Sequence, residues 1–149
     1  MSSFTSELDV RITQKKRDGR PLAELLTAFT YEVGDLGSGD VITVPQGYVT
    51  DFASVPRALW AIEPPLGDAG KAAVLHDWLY ETGERSRAEA DAIFLEAMQV
   101  PEVEWWKRRL IHRAVRLFGW GGTRSAGWKP RHRRRRTQHR PERPLRRQV

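Results

Sequence analysis

Two apolar helical runs separated by a very short connection constrain this chain more than any other feature in it. Ala72-Ala73-Val74-Leu75-His76-Asp77-Trp78-Leu79-Tyr80 carries apolar side chains at helical spacing. Ser86-Arg87-Ala88-Glu89 then opens a second helix as a capping box, Ser86 and Glu89 each satisfying a free backbone N–H of the other. The connection is only Glu81-Thr82-Gly83-Glu84-Arg85, which sets the two helices antiparallel. Residues equidistant from the turn then lie at one height, and the midpoint between His76 and Asp91 falls between Gly83 and Glu84. Packed helices lie ~8–10 Å apart, a gap that an inward imidazole and an inward carboxylate can close.

Both groups have apolar company. Residues three and four apart share a helix face, so His76 is surrounded by Ala72, Ala73, Leu79 and Tyr80, and Asp91 by Phe94, Leu95 and Met98. A buried polar ring without a partner costs roughly 1–3 kcal/mol, so the pairing of His76 with Asp91 is expected on energetic grounds alone. Two uses remain open, a polar lock for the hairpin and a catalytic dyad. Asp77 reads either as an exposed helix residue or partner of Arg57, or as part of a site. Asp51 and Ser54 read as turn and cap residues at a strand-to-helix junction. Their functional alternative puts Asp51 beside His76 as a metal ligand or second orienting group, Arg57 as an anion-binding group, and Ser54 as a nucleophile activated by His76.

Ahead of the helices the period is two. Residues 8–13 alternate apolar and polar side chains and end in the charged turn Lys15-Lys16-Arg17-Asp18-Gly19; residues 28–33 and 41–45 give further strands, and 46–50 a short fourth. No helices separate most of them, so a small antiparallel sheet is expected. Residues 54–60 suggest a short helix with proline in its first turn, broken by Glu63-Pro64-Pro65-Leu66-Gly67. Asp68 then caps the central helix, the second runs from Arg87 to about Gln99, and Pro101 opens a third ending near Gly119. On that third helix Val103, Trp106, Leu110, Ala114 and Leu117 are expected to form the inward stripe. Strands followed by helices make the fold α+β: a small N-terminal antiparallel sheet, then a three-helix region containing the hairpin. Residues 1–119 are read as one domain and residues 120–149 as a disordered Arg-rich tail.

Charge supports that division. The net charge of +6 conceals eleven Lys or Arg against one Glu in residues 121–149, leaving 14 basic and 18 acidic residues before them. Arg131, Arg133, Arg134, Arg135 and Arg136 form a run that attracts polyphosphate or anionic headgroups with little sequence readout. Nonspecific nucleic acid is therefore an expected partner of the tail. The absence of cysteine excludes disulfides and thiolate metal sites. No apolar run reaches the length of a membrane span and no signal sequence is legible at Met1, so a cytoplasmic location in a bacterial host is expected, with virion association as a further option. Metal phosphohydrolases built on His-Asp pairs need further histidines; none precedes His76, and His112 lies near Arg108, Arg109 and Arg116.

The run Gly47-Tyr48-Val49-Thr50-Asp51-Phe52-Ala53-Ser54-Val55-Pro56-Arg57, followed by residues 72–80, resembles an uncharacterised phage and prophage family known as domain of unknown function 1353. That resemblance spans about residues 8 to 118 and implies a viral or prophage origin, with phage structural proteins as partners. A shorter resemblance concerns chemistry. His76-Asp77-x-x-Tyr80 with Ala90-Asp91-x-x-Phe94 looks like the catalytic helix pair of the phospholipase A2 superfamily, including its parvovirus capsid version. It implies an ester or lipid substrate, His76 as general base, Asp91 orienting the imidazole, Tyr80 bonded to that carboxylate, and Asp77 binding calcium. The stretch from Glu63 to Gly67 departs from the glycine-rich calcium loop of that superfamily, having one glycine and two prolines. The other class of function is a noncatalytic virion or assembly protein whose His-Asp pair is structural and whose tail binds nucleic acid.

Overall fold

A computed structural model describes residues 3–52, 55–64 and 66–122. Strands come first and helices after, as the change of period from two to 3.6 requires: β1 (Ser3–Phe4), β2 (Val10–Arg17), β3 (Arg20–Leu25), β4 (Phe29–Glu32), β5 (Val41–Val44), β6 (Val49–Thr50), then α1 (Gly70–Thr82), α2 (Arg87–Ala97) and α3 (Trp105–Gly122). A single 3₁₀ turn, Arg57–Leu59, stands where a short helix was expected.

The strands form two three-stranded antiparallel sheets, ordered β1-β4-β5 and β2-β3-β6. In the first, Phe29 pairs with Val44 and Tyr31 with Ile42, and these four side chains are all buried. Period-two alternation turns that whole set to one side, toward the helices. The second sheet contains a strand that propensity hides, because Arg20-Pro21-Leu22-Ala23-Glu24-Leu25 holds a proline and few β-formers. Its signal is the turn before it. Asp18 (φ 49°) and Gly19 (φ 75°) both take positive φ, the two-residue turn that matches the twist of a hairpin. Pro21 is tolerated because β6 meets β3 only at Ala23 and Glu24, so the side lacking an N–H faces no strand. Backbone bonds from Leu25 N to Tyr48 O and from Gly47 N to Leu25 O, each 2.8 Å, extend the contact between β3 and the approach to β6.

The helix hairpin closes the core, with Val74, Leu75 and Leu79 of α1 and Phe94 of α2 buried together with Leu25, Phe29 and Val44. Gly83 ends α1 in the left-handed region (φ 66°), where glycine avoids the Cβ clash, and donates its N–H to Leu79 O. The Ser86 and Glu89 capping box forms as expected. Asp68 does not cap α1. The N-cap is Ala69, whose N–H is bound at 3.0 Å by the carboxylate of Glu63, buried within the preceding loop.

Helix α3 departs from expectation in register. It begins at Trp105 because residues 101–104 are used in a turn with Glu102 at φ 56°, and it continues to Gly122. Among its side chains with described burial, up to Leu117, the buried ones are Ile111 and Val115, with Val103 just before the helix; Trp106, Leu110 and Leu117 are exposed and Ala114 is partly so. Two apolar stripes therefore exist at helical spacing. α3 packs on α2 and buries one of them.

Candidate functional site

His76 and Asp91 meet as the hairpin geometry requires. His76 Nε2 lies 2.9 Å from Asp91 Oδ1, and the Tyr80 hydroxyl donates to the same oxygen at 2.5 Å. His76 is 1% exposed, its ring tilted against Tyr80 (centroids 4.1 Å apart) and Phe94 (4.7 Å). Burial pushes the Asp91 carboxyl upward, but the hydrogen bonds from His76 and Tyr80 and the neighbouring charges of His76 and His112 outweigh it, and the group ends below the usual carboxylate range. Ionised at neutral pH, Asp91 can only accept, so Nε2 of His76 carries the hydrogen of that bond. Tyr80 is pushed up to about 12 by burial and by its bond to Asp91, against the opposing pull of Arg87, whose guanidinium lies 5.4 Å from the ring centre.

Tyr80 is the most exposed of this trio, partly open to solvent, whereas His76 is sealed and Asp91, buried at 9% exposure, keeps an edge on open space. Asp91 lines a groove of about 480 Å³ between α2 and α3, together with Arg87, Ala88, Arg116 and Leu117. His112 is close enough for its charge to act on Asp91; burial holds its imidazole below the ordinary value, Arg116 and His76 push the same way, and Asp91 opposes them. The site is thus a carboxylate backed by a buried imidazole and a phenol, facing a groove edged by two guanidinium groups. Sequence reading did not place Arg87, His112 or Arg116 at the site, and named His112 and Arg116 only in setting aside a histidine-rich metal centre. Their signal is one of register: Arg87 is four residues before Asp91, and His112 lies next to Ile111 and four before Arg116, but only the packing of α3 selects that face.

The other residues singled out by sequence lie apart from this groove in their described contacts. Asp77 Oδ2 accepts a 2.6 Å bond from the Thr50 hydroxyl, and Thr50 in turn accepts from the N–H of Phe52, a buried residue at φ 51°. This clasp ties the Gly47–Arg57 motif to the His-Asp helix. Asp51 acts with Asp77 and Glu81 on Tyr48, whose hydroxyl is raised above its ordinary range by burial first and by those charges second. Arg57 reaches the β2–β3 turn, donating to Asp18 O at 3.5 Å and covering Trp60. Ser54 and the arginines at 131, 133, 134, 135 and 136 lie outside the described residues.

The oxygens that the phospholipase-like pattern would offer a calcium ion, on Asp77 and in the loop ahead of α1, already have hydrogen-bond partners within the chain. Asp77 Oδ2 is bonded to Thr50; Glu63 caps α1; Pro64 O and Gly67 O close backbone turns onto Gly67 N and Gly70 N. Among the described residues no three His, Asp or Glu side chains are grouped to hold a metal. A Cβ at Gly67 would stand 2.5 Å from Glu63 Oε1, so the single glycine of this loop makes room for the capping carboxylate.

The uncharacterized protein y4jT of Sinorhizobium fredii (strain NBRC 101917 / NGR234) is 35% identical to this chain over 104 residues, covering 68% of the chain and 30% of that protein. The chain therefore spans less than a third of this relative's length. No solved structure matches it. Residues 23–115, which take in the hairpin, its polar trio and the Thr50–Asp77 clasp, match the family described as "Protein of unknown function (DUF1353)", and the chain belongs to that family.

Proposed function

We propose that the groove over Asp91 is the active site of an ester hydrolase, with a lipid ester as the substrate class and the chain serving as a phage- or prophage-type protein. The observation that supports this is the geometry of Asp91, which accepts from His76 and Tyr80 through one oxygen and lines an open groove between Arg87 and Arg116. The groove exchanges the two roles that the phospholipase-like pattern implies, because its lining includes Asp91 and not His76. Asp91 faces the groove, takes the proton of the attacking water on its other oxygen, Oδ2, and returns it to the leaving alkoxide, while His76, sealed between Tyr80 and Phe94, holds Oδ1 through its Nε2–H and positions the carboxylate. An oxyanion forming at the ester carbonyl would be stabilised by the positive charge of Arg87 or Arg116, which line the same groove.

The test is release of acid from soluble nitrophenyl esters and from phospholipid, with and without calcium, by the wild type, Asp91→Asn, His76→Gln and Tyr80→Phe. Loss of turnover of about 10²-fold or more in Asp91→Asn, assayed well below the variant's own melting temperature so that the protein is folded, supports hydrolysis. No turnover by the wild type on any ester removes it.

The 1% exposure of His76 favours a second reading, in which the trio locks the hairpin and the chain is a noncatalytic virion or assembly protein. In that reading the basic residues at 131–136 hold nucleic acid or an acidic structural partner in a bacterial host. It predicts that all three variants lose stability and that none changes an activity.

A further inference from the structure

The outward face of α3 is built unlike an ordinary solvated helix. Ile111 and Val115 satisfy its contact with the core, yet Trp106, Leu110 and Leu117 form a second apolar strip, one or two turns apart, exposed by 43%, 39% and 75%. Beside that strip on the helix run Arg109, Arg113 and Arg116, all exposed, and beyond them Trp105, 66% exposed. From Trp105 to Gly122 the helix holds five Lys or Arg and no acidic residue. Lys107 and Arg109 cover the faces of Trp106 and Trp105 at 5.7 and 6.0 Å. The strip ends at Leu117, which with Arg116 is also a wall of the Asp91 groove.

We infer that this face of α3 docks on an anionic lipid surface, lying in the interface plane with the Trp106, Leu110 and Leu117 strip among the acyl chains and Arg109, Arg113 and Arg116 at the headgroups. Charge and apolar pattern select that occupant together. A basic face beside a tryptophan and leucine strip is the arrangement by which helices lie in bilayer interfaces, where indole rings bridge the polar and apolar layers. Nucleic acid would meet the arginines but has no use for the two leucines. A second copy would bring five cations against five. Among the described residues no helix is long and apolar enough to cross a membrane, so the contact is with one face of the bilayer. This goes beyond the hydrolase reading and stands without it, although it would bring the groove mouth to the lipid.

The test uses the full chain and vesicles of ether-linked phosphatidylglycerol or phosphatidylcholine, which no esterase can cleave. The basic residues after 122 attract anionic vesicles by charge alone, so binding is measured by sedimentation and tryptophan emission in low salt and in about 0.5 M NaCl, where such attraction is screened. The expected result is sedimentation with phosphatidylglycerol, a blue-shifted emission, and binding that persists at high salt. Leu110→Gln/Leu117→Gln should lose about tenfold or more of that high-salt binding while its melting curve stays unchanged. The inference is overturned if wild type and variant bind alike, if all binding disappears at high salt, or if the variant's one effect is to convert a dimer into a monomer.

Discussion

Asp91 receives two donors on one oxygen, and its worth to the fold depends on staying ionised. Asp91→Ala leaves the buried His76 N–H unsatisfied and should cost roughly 1–3 kcal/mol; Tyr80→Phe, which removes one donor, should cost about 1 kcal/mol. Urea melts at pH 7 measure both. The sign of the pH dependence follows from direction. Asp91 sits below its unfolded value of ~3.9, so its contribution is present above that pH and is lost as pH falls through the folded value. The stability gap between wild type and Asp91→Asn should therefore be full near pH 6 and narrow as pH falls below about 4. His112 is also lowered, so the unfolded chain takes up its proton first as pH falls below ~6.5, and stability is lost from there downward. His112→Gln should flatten the stability profile between about pH 7 and pH 5, and a profile unchanged by that substitution would contradict this account of its burial.

Among the elements, the hairpin and α3 respond to substitution in different ways. Ser86→Ala removes an N-cap acceptor whose reciprocal bond from Glu89 also forms, and should cost about 1 kcal/mol. On α3 the two apolar stripes are separable by truncation. Ile111→Ala should cost about 2–4 kcal/mol, whereas Leu117→Ala should change stability by no more than about 0.5 kcal/mol. Equal effects would mean that both faces are covered. The hairpin was legible because its evidence is local: a capping box, a five-residue connection and two apolar faces agree. The face of α3 was not legible, since Val115 with Ile111 and Leu117 with Leu110 have equally good helical spacing, and only the position of α2 distinguishes them. β3 was missed for the opposite reason, its strand propensity being poor while its Asp18-Gly19 turn was strong.

At the scale of the whole molecule, charge is divided along the chain. Residues 123–149 carry eleven of the 25 Lys and Arg and one of the 19 acidic residues, so removing them turns a net positive chain into a net negative one. Deletion after Gly122 should abolish most retention on immobilised DNA at low salt; retention equal to that of the full chain would place nucleic-acid contact on the body instead. The sequence by itself determined what short-range spacing determines: strands before helices, an antiparallel helix pair, and an imidazole and carboxylate forced to one height between them. Tertiary structure decided which of those two groups meets the groove and that Asp77 is held by Thr50. It also brought His112 and Arg116 of α3 to the side of that carboxylate and left one stripe of α3 uncovered. These depend on how surfaces remote in sequence pack, and helical periodicity fixes the angle of a side chain about its own axis without fixing which neighbour that angle will face.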